Sequence, residues 1–238
     1  MNVILGTYER PEMFRAALAS ALAHIPNIEN FVIVMQSDYG PVDDKGLIIL
    51  RTTPTGNSGI TRQIGFAYLA SLKATGPTFV MDDDHVIEPG FATGLPLVLD
   101  LLARSSTGLI ACGMKHNPVS RTREVTLGNI GGGVFAKGTT VAAMGGWGDD
   151  PLDDIHSFLL SALAGFRNYI TGQITNQHLL GSKGGLQAST GSKNRWEKRF
   201  RTRSASKMNE RYPGLFRKWD PTHLVFDVNK RKLPAKRP

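Results

Sequence analysis

Thr78-Phe79-Val80-Met81-Asp82-Asp83-Asp84 joins a short apolar run to three adjacent carboxylates. Consecutive apolar residues with no alternation suit a strand buried on both faces, as in a parallel sheet covered by helices. Three carboxylates at the end of such a strand repel one another, so a cation held among them is stabilising. In extended backbone Asp82 and Asp84 face the same way, which predicts that these two converge on one ion while Asp83 points elsewhere. Oxygen ligands suit a hard divalent cation such as Mg²⁺ or Mn²⁺. A solvated acidic turn is the competing reading of the triplet.

The chain before this stretch supports the parallel sheet. Asn2–Gly6, Phe31–Met35 and Leu47–Leu50 are further short, β-branched runs bounded by turn residues. Between the first two, Pro11–His24 carries Phe14, Ala17, Leu18, Ala21 and Leu22 at helical spacing, with Pro11 suited to a first helical position. A second helix is expected over about Gly59–Ala74, with Ile60, Ile64, Ala67, Tyr68 and Leu72 inward. Asn57 or Ser58 would cap it and Gly76-Pro77 would stop it. Strand and helix alternating in this way predict an α/β fold, a Rossmann-like, mostly parallel sheet flanked by helices. Ligands of such sheets bind beyond the carboxyl ends of the strands. Thr7–Arg10, Gln36–Asp38, Arg51–Thr55 and Asp82–Asp84 are therefore the loops to watch.

After the triplet the pattern loosens. A helix is expected near Phe91–Ala103, and strands near Leu109–Gly113 and Val125–Leu127. Gly131-Gly132-Gly133-Val134-Phe135 and Gly145-Gly146-Trp147 follow. Asp149-Asp150-Pro151-Leu152-Asp153-Asp154 then leads into a helix over about Leu152–Ala164. Carboxylates in a first helical turn are favoured by the helix dipole. An ionised carboxylate there also suits a general base, so Asp153 and Asp154 stand between cap and catalyst. His178, shortly after a last core strand near Tyr169, offers a neutral imidazole as a ligand, or is an ordinary surface or buried histidine. The other histidines, His85 among them, carry weaker claims. Arg62, in the first turn of the second helix, is a phosphate-binding candidate or a surface charge.

Composition bounds the class. At 41% hydrophobic and 20% charged the chain is an ordinary globular one, and its single cysteine, Cys112, excludes an internal disulfide. It holds no apolar run of the roughly 18–20 residues needed to cross a bilayer, and no signal-peptide pattern precedes the first strand, so a cytoplasmic protein is expected. The net charge of +8 is uneven. Residues 183–238 hold 16 Lys and Arg against 4 Asp and Glu, whereas residues 1–182 hold 12 against 16. A basic extension of this kind points to a polyanionic partner, nucleic acid before an anionic membrane surface, or is simply solubilising.

The motifs also occur in a familiar order. Val3-Ile4-Leu5-Gly6-Thr7-Tyr8-Glu9-Arg10, Gly59-Ile60-Thr61-Arg62-Gln63-Ile64-Gly65, Phe79–Asp84, Gly145-Gly146-Trp147 with Asp153-Asp154, and His178 together resemble inverting, family-2-like GT-A glycosyltransferases over residues 2–182. The resemblance implies a nucleotide-sugar-binding and catalytic domain over 1–182 and a basic extension over 183–238. It implies that Thr7, Tyr8 and Asp38 line a nucleoside pocket, with Arg10 and Asp83 also at the donor and Arg62 facing the pyrophosphate. Asp82 would meet the ribose or the metal, Asp84 and His178 the metal, and Asp154, or else Asp153, would be the base. Two departures stand out: the second strand ends Met35-Gln36-Ser37-Asp38 without the usual acidic pair, and the helical acidic pair begins with Asp.

The small size and basic extension are similar to bacteriophage GT-A enzymes that glycosylate hydroxymethylated pyrimidines in DNA. Lys193–Lys207 would then meet phosphates, and Trp196, Phe200 or Tyr212 would support an extruded base or pack the extension onto the core. The rival classes are a sugar-phosphate nucleotidyltransferase, a metal-dependent nuclease, a non-enzymatic nucleic-acid-binding protein, and a glycosyltransferase docked on a lipid surface.

Overall fold

The computed structural model describes residues 1–38, 46–53, 58–128, 133–148, 153–179, 207–220 and 225–237. Its first half is the expected alternation: β1 (Asn2–Thr7), α1 (Pro11–His24), β2 (Asn30–Met35), β3 (Leu47–Arg51), α2 (Ser58–Ser71) and β4 (Thr78–Asp82). These four strands lie in the order β3-β2-β1-β4, all parallel. Then come β5 (His85–Val86), α3 (Phe91–Ala103), β6 (Thr107–Met114), β7 (Arg123–Val125), β8 (Val134–Ala136), α4 (Gly138–Ala143), α5 (Asp153–Leu163) and β9 (Arg167–His178). Here β8 enters antiparallel between β4 and β6, β6 pairs parallel with β9, and β5 and β7 both run antiparallel to β9. The nine-stranded sheet is thus mixed: parallel in its N-terminal half and interrupted in its C-terminal half.

Strand periodicity sorts the core into two layers. Val3 and Leu5 of β1, Phe31, Ile33 and Met35 of β2, and Phe79 and Met81 of β4 pack with α1 and α3. Ile4, Val32, Val34 and Val80 point the other way, onto Phe66 and Leu69 of α2, Trp147, and Phe158 of α5. With both faces covered, the strands read as unbroken apolar runs, which is why their pattern was legible.

The second helix departs from expectation. α2 buries Thr61, Arg62, Gly65, Phe66 and Leu69, and Leu72 is exposed. The inward face is therefore turned by about one residue from the Ile60-Ile64-Ala67-Tyr68-Leu72 stripe. Two contacts explain this. Gly65 lies on β1, where an added Cβ would meet Ile4 Cγ2 at 2.7 Å. Arg62 can be buried because Asp82 neutralises it. Gly65→Val is expected to push α2 off the sheet and to cost about 1–3 kcal/mol of stability, measured by urea unfolding.

The described part of the basic extension, residues 207–220 and 225–237, is docked on the core. Its hairpin, β10 (Phe216–Asp220) with β11 (Val225–Val228), and Tyr212 pack around Leu159 of α5. His156 of α5 shares a 2.9 Å hydrogen bond with the Tyr212 hydroxyl, and the Arg237 side chain donates to Ala164 O. Lys193, Trp196, Phe200 and the rest of residues 180–206 lie outside the described residues. Among the described residues no helix is long and apolar enough to cross a membrane.

Candidate active site

The acidic stretch sits at the carboxyl end of β4, beside the carboxyl end of β1, but the three carboxylates do not alternate. Strand geometry stops at Asp82; Asp83 and Asp84 form a turn that returns the chain as β5. The expected convergence of Asp82 with Asp84 is accordingly replaced by a different division of partners.

Asp82 takes Arg62: the guanidinium Nη2 lies 2.5 Å from Asp82 Oδ1. Burial alone would raise the Asp82 carboxyl, but the Arg62 guanidinium outweighs it and holds it down at about 2. Asp83 is buried under the end of β1. It accepts from the Thr7 hydroxyl at 2.8 Å and from the Tyr8 N–H at 3.2 Å, and Arg10 Nη2 lies 2.5 Å away. Burial, reinforced by the neighbouring Asp84 and opposed by Arg10, pushes this carboxyl up to about 7. Asp84, also buried, accepts from Arg10 Nη1 at 2.8 Å through Oδ2. Thr7 and Arg10, expected at a donor nucleotide, are thus both engaged with the acidic turn.

The raised Asp83 pKa has a stability consequence with a definite sign. Its folded value of about 7 lies above the ordinary 3.8, so between those values the folded protein binds more protons than the unfolded chain. Stability from this group therefore falls as pH rises from about 4 to about 7. Asp83→Asn is expected to flatten that part of the stability–pH profile, measured by urea unfolding at pH 5 and pH 8.

Sheet pairing brings the histidines in. β5 pairs with the end of β9, placing His85 opposite His178, and the Leu179 N–H closes the ladder on Asp84 O at 2.8 Å. His178 Nε2 then lies 3.5 Å from Asp84 Oδ2, and His85 Nε2 3.6 Å from Asp84 Oδ1. Donor atoms of Asp84, His85 and His178 all fall within 4.8 Å of one another. Asp84 Oδ1 and His178 Nδ1 are buried without a hydrogen-bond partner. One carboxylate with imidazole nitrogens is a donor set for a divalent transition-metal ion, so the residues present suit a divalent cation. Burial lowers the His85 imidazole below its ordinary value, and its Nδ1 accepts from the Asp82 N–H at 3.3 Å. Its proton is therefore on Nε2, facing Asp84, and ligation through Nε2 would require losing that backbone bond.

Sequence reasoning gave His85 little weight. The local signal was its position directly after Asp84, where a two-residue turn returns the side chain toward the carboxylates. The ring of exposed His116 also approaches His178, with centroids 6.0 Å apart.

The other candidates lie around this centre. Asp38, exposed at the end of β2, pairs with Arg51 at the end of β3 at 2.9 Å, so both occupy the same sheet edge. The Gly145-Gly146-Trp147 turn docks on α2: Trp147 stacks on Phe66 with centroids 5.4 Å apart. Gly146 has φ 116°, and an added Cβ there would meet the Gln63 amide at 2.8 Å. The Gly148 N–H donates to Ser157 Oγ on α5 at 2.9 Å, tying the turn to the helix that Asp153 and Asp154 open. Asp154 is half-buried in that first turn. The Asp153 side chain, Asp149 and Asp150, and Gly131-Gly132 lie outside the described residues.

The helix-flanked mixed sheet has the GT-A fold, as solved glycosyltransferase structures with the same architecture show. A mannosyltransferase from Pyrobaculum calidifontis, solved with GDP-mannose and Mn²⁺, superposes with a TM-score of 0.59 and 15% identity over 77% of this chain and 57% of its own. TarS of S. aureus, residues 1–349, gives 0.57 and 14% over 74% and 59%. GalNAc-T7, solved with UDP, GalNAc and Mn²⁺, gives 0.57 and 9% over 74% and 43%. The chain thus spans about half the length of these structures, and at such identities they share its fold. No protein-family model matches the sequence, and no curated protein does at significant similarity.

Proposed function

We propose that this chain is a metal-dependent, inverting glycosyltransferase that moves a sugar from a UDP-sugar to an acceptor hydroxyl. The observation that carries this reading is the meeting of Asp84 and His178 at the carboxyl end of β4, next to Asp82 and the buried Arg62 it pairs with. Asp84 and His178 would hold Mn²⁺ or Mg²⁺, with Asp82 at the metal or the ribose. A bound cation supplies positive charge to a departing nucleoside diphosphate.

The chain's own residues do the rest. Arg62, expected at the pyrophosphate, is buried against Asp82, so it would act there by fixing the Asp82 carboxylate rather than by presenting its own charge. Thr7, Tyr8 and Asp38 line the nucleoside side of the edge, and Arg10 lies between that side and the acidic turn. Asp154, or Asp153 beside it, accepts the proton of the acceptor hydroxyl as that oxygen attacks the anomeric carbon from the face opposite the leaving group.

For the acceptor we propose a hydroxymethylated base in DNA. The excess of positive charge over residues 183–238 supports it. The test is a calorimetric titration of UDP, and separately GDP, with and without Mn²⁺, followed by transfer assays on hydroxymethylated and ordinary DNA. Mn²⁺-dependent UDP binding is expected. Absence of any nucleotide binding would sink the reading, and transfer that ignores DNA would remove the acceptor.

A further inference from the structure

Arg10 spans the acidic turn. It is the residue immediately before α1, and its guanidinium reaches Asp83 Oδ1 at 2.5 Å and Asp84 Oδ2 at 2.8 Å. His178 Nε2 lies 3.5 Å from that same Asp84 oxygen. A cation held by His178 and Asp84 through Oδ2 would therefore meet the oxygen that Arg10 already holds, whereas Asp84 Oδ1, on the His85 side, is buried without a hydrogen-bond partner. A divalent ion and a guanidinium on one carboxylate oxygen, sheltered from water, repel strongly. Asp83 offers Arg10 a second anchor that a cation at Asp84 would not occupy, so the side chain can release one carboxylate without losing both.

The backbone at this point is also unusual. Glu9, directly before Arg10, has φ 53°, in the left-handed region that non-glycine residues rarely adopt, and its N–H donates to Ser37 Oγ at 3.2 Å. Such local strain clusters at active sites, ligand clamps and switch regions.

We infer that Arg10 is a cationic placeholder that neutralises Asp83 and Asp84 before the divalent ion arrives, yields Asp84 to it, and turns to the donor's diphosphate, so that cation and nucleotide bind cooperatively. The inference rests on the donor-site reading above. It predicts opposite effects of one substitution. Without Arg10 the cation meets no competitor and binds more tightly by itself, while the nucleotide loses a contact and no longer assists the cation.

The test compares wild type, Arg10→Gln and Arg10→Lys. Free Mn²⁺ is followed by its electron paramagnetic resonance signal, with and without UDP or GDP, and thermal melts verify folding. In wild type the nucleotide is expected to tighten Mn²⁺ binding about tenfold or more, within the usual range of coupling between sites. In Arg10→Gln, Mn²⁺ alone is expected to bind about tenfold more tightly, with the nucleotide's enhancement reduced to about twofold. Arg10→Lys, whose ammonium cannot fork across two carboxylates, should fall between them.

If Arg10→Gln tightens Mn²⁺ equally with and without nucleotide, Arg10 contributes only a diffuse field and the inference is overturned. Unchanged or weaker Mn²⁺ binding overturns it too. Failure of the donor-site reading looks different: wild type then binds neither UDP nor GDP in the presence of Mn²⁺. In that case the Mn²⁺-only comparison decides whether Arg10 competes for Asp84.

Discussion

Asp84→Asn is expected to abolish Mn²⁺-dependent nucleotide binding and to lower sugar transfer by at least about 10²–10³-fold, the loss typical of removing one group that stabilises developing charge. The substitution is nearly isosteric, so the effect isolates charge. Asp84 is where Arg10, His85 and His178 converge, and an amide there has one acceptor oxygen and no negative charge to set against a divalent ion. Calorimetry with UDP and Mn²⁺ reads the binding loss directly. Asp82→Asn serves as the contrast. It leaves Arg62 buried beside a neutral partner, so its main expected consequence is lost stability, with Mn²⁺ affinity less affected. Wild-type Mn²⁺ binding in Asp84→Asn would remove Asp84 from the metal site and leave His178 without its proposed partner.

Asp154→Asn carries the second large effect. A general base contributes about 10²–10⁴-fold to rate, so kcat should fall by that factor while UDP and Mn²⁺ bind as in wild type. The separation of kcat from donor affinity is the informative part, because a structural defect in α5 would disturb both. Asp153→Asn, made in parallel, should leave kcat within a few-fold. A reversed pair of results would assign the base to Asp153, and two near-normal enzymes would leave the acidic start of α5 as a response to the helix dipole.

The parallel half of the sheet was legible because its signals are local. β1, β2 and β4 are unbroken apolar runs, and α1 and α3 fall at the expected boundaries. The face of α2 was misread because helical periodicity counts apolar residues, whereas this helix buries Arg62 and Gly65 for partners on other elements. The interruption by β8 and the hairpin β10–β11 were not legible. Both consist of three to five residues whose pairing depends on distant strands.

The acidic triplet, the strand before it and the sheet edge it occupies were determined by the sequence itself, since a buried run followed by carboxylates has one stable place in a helix-covered sheet. What each carboxylate does was decided only by tertiary structure. A turn at Asp83-Asp84 ended strand alternation, giving Asp82 to Arg62 and Asp83 to Thr7 and Arg10. Asp84 went to the histidines, because His178 reaches it through the antiparallel pairing of β5 with the far end of β9. The physical reason is range: periodicity and turn chemistry act over a few residues, whereas the partner of a buried charge is chosen by whichever distant side chain the completed sheet brings within reach.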